Sequence, residues 1–145
     1  MKITNYILFI MILFNFNLFG ASEKLTQGMG YENSYDEALQ KAKIQNKPIM
    51  MVFAQEGCPY CYKFEVKTLI KDSIDKEVKK NFLPLTVFKY KDKDKYPAQL
   101  RPLGVPTVLF IDPKTQNVFY KSFGYKTKSE YKNELLKALE IFNKN

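Results

Sequence analysis

One stretch does most to decide what this chain folds into: Ile49-Met50-Met51-Val52-Phe53-Ala54, an apolar run that opens through Gln55-Glu56-Gly57 into Cys58-Pro59-Tyr60-Cys61. The chain has two cysteines and both lie here. Bounded by Lys47-Pro48, the run reads as a buried strand, and a tight turn then delivers Cys58 to the start of a helical pattern. Unpaired backbone N–H groups at a helix start favour thiolate over thiol, which makes Cys58 the candidate nucleophile. Cys61, one helical turn on, is placed to attack a mixed disulfide formed at Cys58 and to release its partner. The pair then works as a two-electron couple.

Plainer readings of the same two residues are weaker. As a structural staple, a ring of about four residues gains only roughly 2 kcal/mol by loop closure, against about 4.7 for a 100-residue loop. A structural zinc site needs four nitrogen or sulfur ligands, and the chain offers no histidine and no third cysteine. Two thiols do suit Cu(I), so a copper-handling or adaptor role remains the alternative that uses the same residues.

The rest of the composition narrows the function further. Of 145 residues 46% are hydrophobic and 15% aromatic, enough for one packed domain. The net charge of +8 is carried by scattered lysines, with Arg101 the only arginine, so the clustered basic face that nucleic-acid binding needs is missing. A solvated lysine surface, a monomer and no nucleic-acid partner are expected.

Residues 1–22 read as a leader rather than as part of the fold. Lys2 supplies a positive start, an apolar run from Ile7 to Phe19 follows with Asn15 and Asn17 inside it, and Gly20-Ala21-Ser22 provides small residues. This is the layout of a secretory signal peptide cleaved after Ser22. The same stretch approaches the ~20 residues that span a bilayer, which leaves an uncleaved membrane anchor as the alternative. Either arrangement puts the domain outside the cytoplasm, periplasmic or secreted, where a C-x-x-C reads as redox machinery.

Residues 23–33 form a polar, flexible lead-in, and 34–145 the domain. Ser34 and Glu37 have the spacing of a capping box, opening a helix through Gln45 whose apolar face is Tyr35, Ala38, Leu39 and Ala42. After the cysteines, Tyr62, Phe64, Val66, Leu69 and Ile70 alternate with polar residues including Glu65 in a helix that bends near Lys71-Asp72 and resumes over 74–80. Residues 82–88 read as a second strand, with Pro84 near its start or at an unpaired position. The Lys/Asp-rich stretch 89–95 reads as a solvated loop without chemistry, and 96–103 as a short helical piece. Strands are expected over 108–111 and 118–122, joined by a hairpin, with Gly124 at a bend. Thr127 and Glu130 make a second capping box before a terminal helix with Tyr131, Leu135, Leu136, Leu139 and Phe142 along its apolar stripe. The order describes an α/β protein with a central mixed β-sheet flanked by helices.

Four motifs in this order carry a resemblance. Lys47-Pro48 before the strand, Cys58-Pro59-Tyr60-Cys61 at the helix start, Gly104-Val105-Pro106-Thr107 before the third strand and Gly124 ahead of the last helix make residues 34–142 similar to the thioredoxin fold, and to exported bacterial thioredoxin-like proteins in particular. The resemblance implies a thiol–disulfide oxidoreductase acting on disulfides of exported proteins, with no cofactor beyond the redox-active Cys58–Cys61 disulfide. It makes Pro106 a cis-proline. It gives Val105 and Thr107, with Pro59 and Tyr60, a substrate-binding role in which the substrate pairs as an added strand. The chain departs from the family at Gly57, where thioredoxins carry tryptophan, and at Val52, where they place a buried carboxylate that moves the proton of the second cysteine. Glu56 is the candidate to take over that proton. Dedicated oxidants of the family carry a large helical insertion, for which this chain has no room; the expected direction is reduction, fed by a membrane electron donor.

Overall fold

The computed structural model describes residues 28–144. The leader, residues 1–22, and the start of the lead-in lie outside them. In chain order the elements are α1 (Tyr35–Gln45), β1 (Ile49–Ala54), α2 (Pro59–Phe64) continuing into a π-helical turn (Glu65–Leu69), α3 (Asp72–Asn81), β2 (Leu83–Phe88), a 3-10 turn (Ala98–Leu100), β3 (Thr107–Ile111), β4 (Val118–Phe123) and α4 (Lys128–Lys144). Among the described residues no helix is long and apolar enough to cross a membrane.

The strands form one mixed sheet in the order β2-β1-β3-β4. β1 runs parallel to β2, with Ile49 opposite Leu83, and antiparallel to β3, with Phe53 opposite Thr107. β4 closes the other edge antiparallel to β3. Every residue of β1 is buried, because side chains of alternate residues enter opposite cores. Met50 and Val52 join Phe64, Leu69, Ile74, Val78, Val108, Phe110, Tyr131 and Leu135 under α2, α3 and α4. Ile49, Met51 and Phe53 join Tyr35, Ala38, Ala42, Leu85, Val87 and Leu109 under α1. The central strand is thus held on both faces and at both edges, so its last residue points the following turn in a fixed direction.

Pro84 sits in β2 because β2 is an edge strand. The Pro84 carbonyl faces outward and accepts a hydrogen bond from Glu32 N at 2.9 Å, so the missing N–H falls on the open side, where no strand needs it. That contact corrects the reading of a flexible lead-in through Asn33. Tyr31 is buried and Glu32 makes a parallel bridge to Leu85, because the outer edge of β2 offers unpaired backbone groups.

Two further expectations need correction. Ser34 caps α1 by position, but its side chain makes no capping hydrogen bond; Tyr35 N, at the first helical position, donates to Lys95 O at 3.1 Å. The stretch 89–95 is not uniformly solvated. Lys89 is buried with Nζ on Leu103 O at 2.7 Å, and Tyr96 Oη donates to the Lys89 carbonyl.

Candidate active site

β1 ends at Ala54, and the chain turns through Gly57, whose φ of +71° is one that a residue with a Cβ adopts only with strain. The turn is closed by Cys58 N donating to Gln55 O at 3.3 Å. Cys58 then occupies the N-cap of α2, with extended backbone, and its Sγ accepts a hydrogen bond from Cys61 N at 3.1 Å. Pro59 fills the first helical position, where a missing N–H costs nothing. Cys58 and Cys61 are joined as a disulfide. Their environments differ: Cys58 is half-buried, whereas Cys61 is only 5% exposed.

A cleft of about 430 Å³ runs beside the disulfide, lined by both cysteines, Pro59, Glu56, Tyr62, Glu65 and Phe88 among others. Of the residues singled out in the sequence, the structure therefore brings Cys58, Cys61, Pro59 and Glu56 together. Tyr60 is exposed and does not line this cleft. The Val105–Pro106 peptide is cis, and its loop lies at the same end of the sheet as the cysteine turn, because Thr107 pairs with Phe53 near the end of β1. Pro106 is buried, and its carbonyl accepts from Gly124 N at 2.9 Å; Thr107 Oγ1 donates to Gly104 O at 2.7 Å. This loop borders a second cleft, about 390 Å³, which Thr107 lines with Leu103, Gly104 and Phe123. Leu103 and Phe123 leave apolar side chains in solvent there.

The two carboxylates of the first cleft are unlike one another. Glu56 is 69% exposed, with Oε1 3.2 Å from Lys91 Nζ, so it does not occupy the buried place that the missing carboxylate at Val52 leaves open. Glu65 is only 5% exposed. Sequence reading placed it on the polar side of a helix. It faces inward because its N–H bonds back to Cys61 O, which sets it one helical turn on from that buried cysteine; the π-turn that starts here then rotates the following side chains, and Thr68 also becomes buried, with Oγ1 donating to Lys126 O at 2.6 Å. The signal that was present is its position, four residues after Cys61. Among the described residues no group of three or more histidine, cysteine, aspartate or glutamate side chains is arranged to hold a metal ion.

A mixed sheet whose central strand hands a C-x-x-C disulfide to a helix, next to a cis-proline loop, is the arrangement of thiol–disulfide exchange folds. The chain belongs to the thioredoxin-like domain family, whose model matches residues 35–139. Among curated proteins it is similar to anterior gradient protein 3 of Xenopus tropicalis, 31% identical over 99 residues, covering 64% of this chain and 58% of that one. The chain thus spans under two thirds of the length of such relatives. Among solved structures it is similar to a thioredoxin from Thermus thermophilus, with a TM-score of 0.62, 25% identity and coverage of 74% of this chain and 85% of the other. A DsbH oxidoreductase shares the fold with a TM-score of 0.63 at 20% identity, over 76% of this chain and 84% of that one.

Proposed function

We propose that the protein is a thiol–disulfide oxidoreductase that reduces disulfides in exported proteins. The observation that carries the reading is the asymmetry of the couple: a half-buried sulfur at the helix N-cap and a buried one, one turn on, already bonded to it. The reduced Cys58 attacks a substrate disulfide as the thiolate, one substrate sulfur leaves, and Cys61 then displaces the other. Two electrons pass to the substrate, and the protein is left as its disulfide. Residues 104–107 supply the strand edge against which a substrate peptide pairs, with the apolar side chains of Leu103 and Phe123 beside it.

The surroundings of the sulfurs support this direction. A strong disulfide donor stabilises its thiolate. Among the described residues the sulfur at Cys58 accepts from one backbone donor, Cys61 N, while the buried carboxyl of Glu65 shares its cleft. Negative charge beside a thiolate opposes it, so the disulfide is the favoured form of the couple and the dithiol is the reductant. Residues 1–22 supply the export signal, and a membrane-bound electron donor restores the dithiol after each turnover.

The test is trapping in the full chain. Cys61→Ser removes the displacing sulfur and accumulates mixed disulfides between Cys58 and exported proteins; Cys58→Ser accumulates none. The absence of adducts with both variants, together with tight retention of Cu(I) by the reduced wild type, would replace this reading with a copper-binding one.

A further inference from the structure

We infer that Glu65 is the group that takes the proton from Cys61 when that sulfur attacks the mixed disulfide. The inference rests on the oxidoreductase reading and assigns the proton transfer that reading leaves open. Val52 offers no base, and Glu56 holds its carboxylate in solvent against Lys91. Glu65 is the buried carboxyl in the same cleft as both sulfurs. Its N–H bonds back to Cys61 O, so up to this residue the chain keeps α-helical spacing. Cys61 and Glu65 are therefore neighbours one turn apart on one helix face, with Cβ atoms about 5–6 Å from each other. The π-turn begins at Glu65, with Ile70 N bonded to Glu65 O at 3.0 Å; the widening displaces the residues after it, while the bond from Glu65 N to Cys61 O keeps Glu65 on the face it shares with Cys61.

The chemistry closes. Once Cys58 is joined to a substrate sulfur, the Cys61 S–H proton passes to a Glu65 carboxylate oxygen. Cys61 Sγ attacks Cys58 Sγ, the Cys58–Cys61 bond forms, and the bond from Cys58 to the substrate breaks. The substrate sulfur leaves as a thiolate with the electron pair, and the Glu65 proton passes to it or to water. Taking up a proton also relieves the cost of holding a charged carboxylate out of water, so burial favours the transfer. When the disulfide is reduced again, Cys61 leaves as a thiolate, and the same carboxylate, taking up a proton from water, passes it to that sulfur.

Several ionisable groups belong to the elements around Glu65. Cys58, Cys61 and Tyr62 lie on its own helix, and Glu56 with Lys91 on its carboxylate stands across the cleft. Lys89, at the end of β2, is tied to Leu103 O. Lys63 sits over the Tyr125 ring, and the Lys126 carbonyl holds Thr68. None of these is removed by the change that tests the inference, Glu65→Gln, which keeps the side chain's shape.

The reduced full-length chain is mixed with 5,5′-dithiobis(2-nitrobenzoate) in a stopped-flow instrument and thionitrobenzoate release is followed. The first equivalent reports attack by Cys58, the second displacement by Cys61. In Glu65→Gln the first phase does not slow, because removing a negative charge from the cleft favours the Cys58 thiolate, whereas the second slows by about 10²-fold near neutral pH, the usual scale of a positioned general base. The gap closes above roughly pH 9, where a thiol ionises without help, and Glu65→Asp recovers part of the loss. Equal second-phase rates near pH 7, or slowing of both phases by one pH-independent factor, would overturn the assignment while leaving the oxidoreductase reading in place. Release of one equivalent only by the wild type would end both.

Discussion

At the residue scale, burial separates groups that a sequence presents alike. Thr86 lies opposite Val52 in the parallel pair, only 3% exposed, and among the described residues its Oγ1 has no hydrogen-bond partner. A buried hydroxyl without a partner costs about 1–3 kcal/mol, and an apolar group of the same shape removes that cost. Thr86→Val should therefore raise unfolding stability by about 1 kcal/mol, read as an upward shift of the urea midpoint at unchanged slope. A fall in the midpoint would mean that the hydroxyl has a partner. The cysteines were legible in the sequence for the opposite reason: their chemistry depends on identity and spacing, and both are printed in the chain. Glu65 was legible only in part: its place four residues after Cys61 sets it on that cysteine's helix face, but nothing in the pattern announces that the helix will widen there and bury the residues that follow.

At the element scale, the same short pattern had two fates. Thr127 and Glu130 form a reciprocal capping box at the start of α4: Thr127 N donates to Glu130 Oε2 at 2.8 Å, and Glu130 N to Thr127 Oγ1 at 3.4 Å. Ser34 and Glu37 have the same spacing, yet Ser34 makes no side-chain cap, and the bond that ties this helix start to the rest of the fold is Tyr35 N to Lys95 O. Replacing Thr127 by Ala should cost about 1 kcal/mol, and replacing Ser34 by Ala a few tenths at most. The loss at Thr127 carries a pH signature. Hydrogen bonds from the Thr127 backbone and hydroxyl, with Lys126 nearby, hold the Glu130 carboxyl below the usual carboxylate range. A carboxyl whose folded value is depressed contributes stability above its unfolded value and loses it as pH falls through the folded one. Alanine keeps the backbone bond and loses the hydroxyl, so the difference in melting temperature between wild type and Thr127→Ala should be largest at neutral pH and shrink in part in acid; a constant difference down to pH 2 would show that the hydroxyl's bond to the carboxylate adds nothing. The strands and helices themselves were readable from apolar period and turn residues. The docking of Tyr31 and Glu32 on β2 was not, because it depends on which strand ends up at the edge of the sheet.

At the scale of the whole molecule, the state of one bond four residues across is read by the stability of the entire domain. Folding and reduction form a thermodynamic cycle: whatever the fold does to favour disulfide over dithiol appears as extra stability of the oxidised protein, about 1.4 kcal/mol for each 30 mV. A disulfide donor shows the reverse, because its fold stabilises the thiolate. In this chain α2 holds the two cysteines within one helical turn, so forming their bond costs the folded protein little added order. Among the described residues the Cys58 sulfur of the disulfide form accepts from Cys61 N, and the buried carboxyl of Glu65 shares its cleft; on the proposed reading this surrounding gives the reduced thiolate little in return. The oxidised protein should then melt several degrees above the dithiol form, the shift expected for roughly 1–2 kcal/mol in a domain of this size. Scanning both forms at neutral pH, with the reduced sample kept under excess dithiothreitol, gives the sign directly. A dithiol that melts higher than the disulfide would mean a stabilised Cys58 thiolate, and the direction proposed here would have to be inverted, with the protein donating disulfides to its partners rather than removing them.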